Sequence, residues 1–249
     1  MGKLKGKVAV VSGASKGIGA AIAEQLAGEG AAVVVNYASS PDKAEALVSK
    51  IKAAGGQAKA VRADVSRANE AKQLIASAVS EFGKLDILVN NAGMYEFRPL
   101  PEINETHYNR MFDLNVKGLL FTTQAAVNAF GDRGGSIINI SSIVSLGAMP
   151  ATSVYSATKA AVDSITRTLS VELGPKRILV NSVLPGPVET EGTNAMAEWD
   201  QVQNQLVPQT PLGRVGQPKD IANVVTFLAS DEAGWITGQV IPVTGGLRG

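Results

Sequence analysis

The stretch that decides the fold is VAVVSGASKGIGAAIAEQLAGE, residues 8–29. Residues 8–12 form a short β-branched run typical of a strand buried on both faces of a sheet. Three glycines follow at G-x-x-x-G-x-G spacing, and residues 18–29 then predict a helix that ends at Gly30. Such glycines let the backbone approach a pyrophosphate, and the amides at a helix N-terminus favour an anion. The order strand, glycine loop, helix therefore favours nucleotide binding over a glycine-rich turn without a ligand.

Strands and helices alternate along the rest of the chain. Further strands are predicted at residues 32–37, 58–62, 85–89, 136–141, 178–184 and 239–243. Helices are predicted at residues 41–54, 67–82, 105–130 (one long helix or two abutting ones), 153–173 and 218–228. This pattern predicts an α/β fold whose parallel sheet is covered by helices on both faces, with ligands beyond the carboxyl ends of the strands. We expect one domain over residues 1–249, with a mobile substrate lid near residues 188–210.

Composition excludes several classes of function. The chain has 249 residues, 45% of them hydrophobic, and 23 basic against 22 acidic residues give a net charge of +1. That balance offers no basic field for nucleic acid and no polybasic membrane patch. Without cysteine there is no disulfide or thiolate metal site, and the lone His107 is interpreted as structural, so no metal is expected. No apolar run is long enough for a membrane span or a signal peptide, and a cytoplasmic location is expected.

Tyr155 and Lys159 form the strongest candidate for proton transfer. They lie four residues apart on the predicted helix 153–173 and so share one face, about 100 degrees from an expected apolar stripe. The stripe runs through Val154, Ala157, Ala161, Ile165, Leu169 and Leu173. A tyrosine titrates near pH 10, and a neighbouring ammonium would lower that pKa. The alternative, an exposed Tyr and Lys with no role, is the default for such a pair in isolation.

The end of the second predicted strand bears on the choice of nicotinamide cofactor. A dinucleotide fold places an acid there to bind a ribose 2′-hydroxyl, but this strand ends in Asn36, Tyr37, Ala38, Ser39 and Ser40. Without a carboxylate there is no repulsion of a 2′-phosphate. The two serines and the charge of Lys16 could bind that phosphate, which favours NADP(H) over NAD(H). The alternative is that Lys16 is only a solvated loop charge.

Three further positions lie at or near the predicted binding edge. Asp64 could hydrogen-bond an adenine amino group or cap the next helix, and Ser66 is an equally good cap. The turn Asn90-Asn91-Ala92-Gly93 lets a flat ligand lie against the backbone. Asn115 falls in the middle of a helix, a mild misfit for which a solvent-facing side chain is the default reading.

Taken together, these motifs identify the chain as resembling the classical short-chain dehydrogenase/reductases, which have a Rossmann fold, over essentially its whole length. The matching positions are Ser12-Gly13-Ala14-Ser15-Lys16-Gly17-Ile18-Gly19, Asp64, Asn90-Asn91-Ala92-Gly93, Asn115, Ser142, Tyr155, Lys159, Asn181, Pro185-Gly186 and Thr190.

The resemblance implies a role for each matching residue. Tyr155 would be the general acid in reduction, and Lys159 would lower its pKa and hold the nicotinamide ribose. Ser142 would donate to the substrate oxygen, and Asn115 would hold a water in a proton relay. The cofactor-binding set it implies is Gly13, Ser15, Lys16, Gly17, Ile18, Gly19, Asn36, Tyr37, Ala38, Ser39, Asp64, Val65, Asn91, Ala92, Gly93, Tyr155, Lys159, Pro185, Gly186, Val188 and Thr190.

Within the family the chain resembles 3-oxoacyl-acyl-carrier-protein reductases and bacterial sugar and carbonyl reductases. Carrier-protein docking is disfavoured, because residues 169–172 carry no base and the stretch before the fifth strand offers only Arg133. We expect NADP(H)-dependent reduction of a small ketone, aldehyde or 3-oxoester. A sugar dehydrogenase working oxidatively and a cofactor-binding sensor are the alternatives. The resemblance also implies a homotetramer packed through residues 153–173 and the C-terminal strand.

Overall fold

The computed structural model describes residues 2–196 and 199–248, and these contain one sheet of seven parallel strands. The sheet order is β3-β2-β1-β4-β5-β6-β7. Its strands are β1 (Val8–Val11), β2 (Ala32–Tyr37), β3 (Gln57–Arg62), β4 (Ile87–Asn90), β5 (Gly135–Ile140), β6 (Ile178–Pro185) and β7 (Val240–Val243). The order reverses between β1 and β4, which opens a crevice at the carboxyl ends of these two strands. The predicted fold class is confirmed.

Helices cover both faces of the sheet. They are α1 (Gly17–Gly28), α2 (Pro41–Ala53), α3 (Ala68–Phe82), α4 (Glu105–Phe112), α5 (Leu119–Phe130), α6 (Ser153–Leu173), α7 (Glu191–Asn194), α8 (Trp199–Leu206) and α9 (Pro218–Ala229). Most predicted bounds are met within one or two residues. None of the described helices is long and apolar enough to span a bilayer.

The strand β1 shows how the sheet separates two cores. Its four residues are all buried, yet Ala9 and Val11 pack into one hydrophobic cluster while Val8 and Val10 pack into the other. This follows from the period of two along a strand. The first cluster includes residues of α1, α2 and α9, and the second includes residues of α3 and α5. A strand so enclosed must be apolar on both sides, as the sequence of β1 is.

The apolar stripe predicted for α6 is buried only at its two ends, Val154 and Leu173. Ala157 is exposed, and Ala161, Ile165 and Leu169 are only half-buried. The face that α6 turns inward is mostly polar, with Thr158, Lys159, Val162, Asp163, Thr166 and Ser170 buried on it. The reason is that this face packs on β5 and β6, where backbone and side-chain groups pair with its polar atoms.

The predicted helix over residues 105–130 is divided by one turn of π-helix, Asp113–Gly118. Gly118 permits close contact with the segment after β3, since a Cβ there would lie 3.1 Å from the Val65 carbonyl oxygen. Turns of π-helix are frequent at functional sites. This one carries Asn115, which is the residue that the sequence marks as a local misfit.

The expected lid follows β6 and contains α7 and α8. Thr190 begins α7 with a capping box, in which its hydroxyl accepts from the Thr193 N–H at 3.1 Å. Residues 197 and 198 of the expected lid lie outside the described residues. Lid movement stays a prediction.

Candidate active site

The glycine loop lies directly against the turn that follows β4. Gly13 has a φ of 62°, and a Cβ on it would lie 2.8 Å from the Cα of Ala92. A Cβ on Gly19 would lie 2.6 Å from the Gly13 carbonyl oxygen and would also overlap the Asn91 amide. Both positions therefore require glycine, because a side chain would push the loop, α1 and the β4 turn apart.

Hydrogen bonds lock these two segments together. The Ser12 hydroxyl accepts from the backbone N–H groups of Asn91 and Ala92, each at 3.0 Å. The Asn91 amide donates to the carbonyl oxygens of Ser12 and Gly13 at 2.9 and 3.0 Å. The result is a narrow cradle of backbone at the N-terminus of α1, the geometry that suits a pyrophosphate. The residues thus fit a dinucleotide.

The side chain of Asn36 is hydrogen-bonded to the glycine loop, which its position in the sequence does not reveal. Its side chain is buried, and its Oδ1 accepts from the Gly13 N–H at 3.0 Å. Its Nδ2 donates to the carbonyl oxygens of Val61 and Ala63 at 3.2 and 3.0 Å. The side chain is therefore bonded to protein on both sides. We therefore interpret the Asn36 amide as a group that positions the glycine loop. It is not interpreted as a direct contact of the cofactor.

The carboxylate of Asp64 is bonded to the residues that follow it, and this changes the expected capping of α3. Ser66 does not cap α3; instead its N–H and hydroxyl both donate to Asp64 Oδ1, at 3.1 and 2.7 Å. The second oxygen, Oδ2, lies 3.7 Å from Arg67 Nε. Val65 is buried in the core, so only its backbone could face a ligand.

The end of β2 is bordered by cations that the sequence reading only partly anticipated. Lys16, Ala38 and Ser39 are exposed there, whereas Tyr37 is half-buried. Arg62 pairs with Tyr37 in the sheet register, and its Nε donates to the Ala38 carbonyl oxygen at 3.4 Å. Sequence reasoning missed Arg62, because only the β2–β3 register brings it to this corner.

The start of the lid reaches the same corner. Lys43, in the first turn of α2, forms an ion pair with Glu191 of α7, and this pairing holds the pKa of Glu191 below its usual range. Thr190 lies against the glycine loop, 3.6 Å from where a Gly17 Cβ would be. Val188 is buried, and the backbone at Gly186 bonds to Val243, which fixes the start of the lid beside β7.

Asn115 is buried, so the default reading of a solvent-facing side chain is wrong. Its Oδ1 accepts from the Met94 N–H at 2.9 Å. Its Nδ2 donates to the Met94 carbonyl oxygen at 2.9 Å and to the Thr158 hydroxyl at 3.1 Å. The side chain thus ties the π turn to the loop after β4 and to α6. Both Nδ2 hydrogens are therefore used by protein partners, which leaves the second lone pair of Oδ1 and the main-chain atoms for a water.

Lys159 is buried beside this junction. Its Nζ donates to the Ile140 carbonyl oxygen at 2.9 Å and lies 5.8 Å from the centre of the Tyr155 ring. A Cβ on Gly93 would lie 3.6 Å from the same Nζ, so glycine leaves that side open. Burial lowers the pKa of Lys159 to about 8, against an opposing effect of Asp163, which raises it.

Burial is also the main influence on the pKa of Tyr155, and the lowering of this pKa by Lys159 stays a prediction. Burial raises the pKa of Tyr155 to about 12, and the influence that lowers it is a hydrogen bond with Ser142. Tyr155 therefore keeps its proton throughout the neutral range and can act as a donor.

Two exposed aromatic side chains stand over Tyr155. The rings of Tyr95 and Phe97 stack on each other with centres 5.8 Å apart, and their centres lie 6.3 and 6.1 Å from that of Tyr155. A Cβ on Gly192 of α7 would lie 3.1 Å from the Tyr95 hydroxyl. Behind them the buried His107 bonds to the Glu96 carbonyl oxygen at 3.2 Å, consistent with a structural role.

Fold and site together fit the class of oxidoreductases that bind a dinucleotide at the crevice of a parallel sheet. A family model described as enoyl-(acyl carrier protein) reductase matches residues 13–248. The chain is 59% identical, over its whole length and that of its relative, to an uncharacterized oxidoreductase of Methylorubrum extorquens. It is 46% identical to a 3-oxoacyl-acyl-carrier-protein reductase of Staphylococcus epidermidis, covering 97% of this chain and 98% of that one.

A solved structure agrees with these relatives. The short-chain dehydrogenase/reductase of Serratia marcescens superposes with a TM-score of 0.94 at 41% identity, covering 99% of this chain and 100% of the other. The chain belongs to the short-chain dehydrogenase/reductase family. Members of this family use nicotinamide cofactors.

Gly19→Ala should weaken NADPH binding at least roughly tenfold, because the added Cβ displaces α1 from the Gly13 carbonyl and the Asn91 amide. Gly28→Ala is the matched control, since Gly28 lies in the same helix and a Cβ there has nothing within 4 Å. Fluorescence titration of the two folded variants measures the dissociation constants. Equal affinities would show that the cradle does not hold the cofactor.

Proposed function

We propose that this chain is an NADP(H)-dependent carbonyl reductase that converts a ketone, aldehyde or 3-oxoester to the alcohol. The observation that carries the proposal is the placement of Tyr155, whose ring centre lies 5.8 Å from the buried Lys159 Nζ and whose pKa burial raises to about 12. A tyrosine that stays protonated at neutral pH is suited to donate a proton, as reduction requires.

The proposed mechanism assigns one task to each side chain. When bound, the nicotinamide supplies the hydride. Tyr155 donates its hydroxyl proton to the oxygen of the former carbonyl, which as an alkoxide is a far stronger base than a phenolate. Ser142, whose hydroxyl acts on the pKa of Tyr155 in the free site, would turn its one O–H to the same substrate oxygen as charge develops there. Lys159, close to Tyr155 and to the open side of Gly93, orients the ribose and stabilises the phenolate that remains.

The choice of NADP(H) rests on charge at the end of β2. No carboxylate occurs among residues 36–40, and Lys16 and Arg62 are exposed at the same corner. A 2′-phosphate placed beside Ser39 would accept hydrogen bonds from these groups, and a planar guanidinium suits phosphate oxygens.

Three alternative functions are a carrier-protein reductase, an oxidative sugar dehydrogenase and a cofactor-binding sensor. The name of the staphylococcal relative favours a carrier-protein substrate. Against it, Arg133 lies at the amino end of β5, at the opposite edge of the sheet from Tyr155, and its Nη2 donates to the Ala129 carbonyl oxygen at 3.4 Å. Turnover of glucose with NADP+ tests the oxidative sugar rival. A sensor without turnover would not need Ser142, Tyr155 and Lys159 together.

Tyr155→Phe should lower kcat for reduction of ethyl acetoacetate by roughly 10²–10⁴-fold, because it removes the proton donor and leaves the ring. NADPH affinity should stay within about threefold, since the glycine loop and Lys159 are untouched. Loss of NADPH absorbance measures the rate. Tyr108→Phe is the control, because Tyr108 is exposed on α4 and stacks only on Phe112 among the aromatic contacts of the described residues. Full activity of Tyr155→Phe would refute Tyr155 as the proton donor, whereas absence of turnover in the wild type would support the sensor reading.

Arg62→Ala should reduce the ratio of kcat/KM with NADPH to kcat/KM with NADH about tenfold, since a hydrogen bond to a charged group contributes about 1.5 kcal/mol. Lys59→Ala removes the same charge from the same strand, but Lys59 pairs with Glu81 on α3. It should leave the ratio unchanged. A wild-type enzyme that prefers NADH would refute the assignment of NADP(H) and leave the catalytic proposal standing.

The aromatic pair Tyr95 and Phe97 favours ketones that carry a flat apolar group beside the carbonyl. Trifluoromethyl phenyl ketone should therefore be reduced with a higher kcat/KM than its cyclohexyl analogue. Phe97→Leu should reduce this preference about two- to tenfold, the range expected for loss of an aromatic pair. Leu100→Ala, at a position that is 80% exposed, is the control. Equal loss of both substrates in Phe97→Leu would assign this ring to general packing.

A further inference from the structure

Asp163 is a buried carboxylate that the mechanism above does not use. It lies on α6, one helical turn after Lys159, and only 3% of it is exposed. Its Oδ1 accepts from the Ser182 hydroxyl of β6 at 3.0 Å. Its Oδ2 is buried without a hydrogen-bond partner among the described residues. A buried carboxylate with an unpaired oxygen is costly unless a nearby charge compensates it.

Lys159 is the buried cation on the same face of α6. Residues four apart on a helix are neighbours on one face, and both side chains are buried. Asp163 raises the pKa of Lys159 against the effect of burial. The other titratable groups facing this pair are Tyr155 on the same helix and, beyond it, Tyr95 from the loop after β4.

The remaining groups around the pair carry no charge. They are Gly93 after β4, Asn115 of the π turn, Ile140 of β5 and Ser182 of β6. Within the described residues, Asp163 is therefore the one acid that acts electrostatically on Lys159.

We propose that Asp163 is a positioning residue of the active site, whose buried carboxylate keeps the Lys159 ammonium charged in an interior that disfavours the charge. Lys159 can then stabilise the phenolate that Tyr155 leaves after giving up its proton. This inference rests on the proposed reductase function. Without Asp163, Lys159 would be neutral over more of the physiological pH range, and reduction would fail at a lower pH.

The first test needs no turnover. Lys159 has a pKa of about 8 in the folded chain against an ordinary value of 10.5, so between these two values the unfolded chain binds more protons. Stability therefore rises with pH across that window and is lost as pH falls through it. Removing Asp163 lowers the folded pKa further, so the rise should begin at a lower pH, by roughly one unit.

Thermal unfolding between pH 6 and pH 10 measures this shift in Asp163→Asn. Glu172→Gln is the control, because Glu172 is exposed on the same helix and the substitution removes the same charge. Asp163→Val deletes the charge without leaving a buried amide and replaces the Asn variant if that one does not fold. Unfolding profiles that rise at the same pH in the Asp163 variant and in the control would overturn the proposal.

The second test connects the charge to the reaction. The pH at which kcat for ketone reduction falls on the alkaline side should move down by roughly one unit in the Asp163 variant and stay in place in Glu172→Gln. An unchanged kinetic profile beside a shifted unfolding profile would also overturn the positioning role. If the wild type reduces no carbonyl with either cofactor, the proposed function fails, while the unfolding profiles still report whether Asp163 acts on Lys159.

Discussion

The structure depends on the burial of a polar helix face. Along α6, Lys159 bonds to the Ile140 carbonyl, Asp163 accepts from Ser182, and the Thr166 hydroxyl accepts from Asn139 at 2.9 Å. Buried polar groups are stable only when they are paired, so these bonds permit one rotation of the helix about its axis. That rotation brings Tyr155 and Lys159 to the carboxyl edge of the sheet, beside the glycine loop.

The sheet was predictable because its information is local. Each central strand is an apolar run enclosed on both faces, and the glycine loop marks the passage from β1 into α1. The rotation of α6 was not predictable in this way. An apolar stripe is expected to face inward, yet Ala157 is exposed, because polar partners on β5 and β6 select the inward face of α6 and this pairing exists only in the folded chain.

The site likewise contains residues that local sequence predicts and residues whose place depends on the folded chain. Tyr155 and Lys159 were predicted from their spacing, and the structure places them side by side. The side chain of Asn115 was misjudged and the bonding of the Asn36 side chain was not foreseen, because their partners include Ala63 and Met94, which only the folded chain brings near. Arg62 was missed because its place at the cofactor corner depends on the register between two strands.

The pKa values of Tyr155 and Lys159 are shifted in opposite directions by the same cause, which is burial. Burial disfavours charge, so it raises the pKa of Tyr155 to about 12 and lowers that of Lys159 to about 8. Oxidation of an alcohol would begin with a phenolate, which this environment disfavours, whereas reduction begins with the protonated phenol that it favours. Because reduction leaves a phenolate beside Lys159, the ammonium is needed most at the end of the step. Under the proposed reductase function, Tyr155 donates its proton and Lys159 then lies beside the charge that the donation creates.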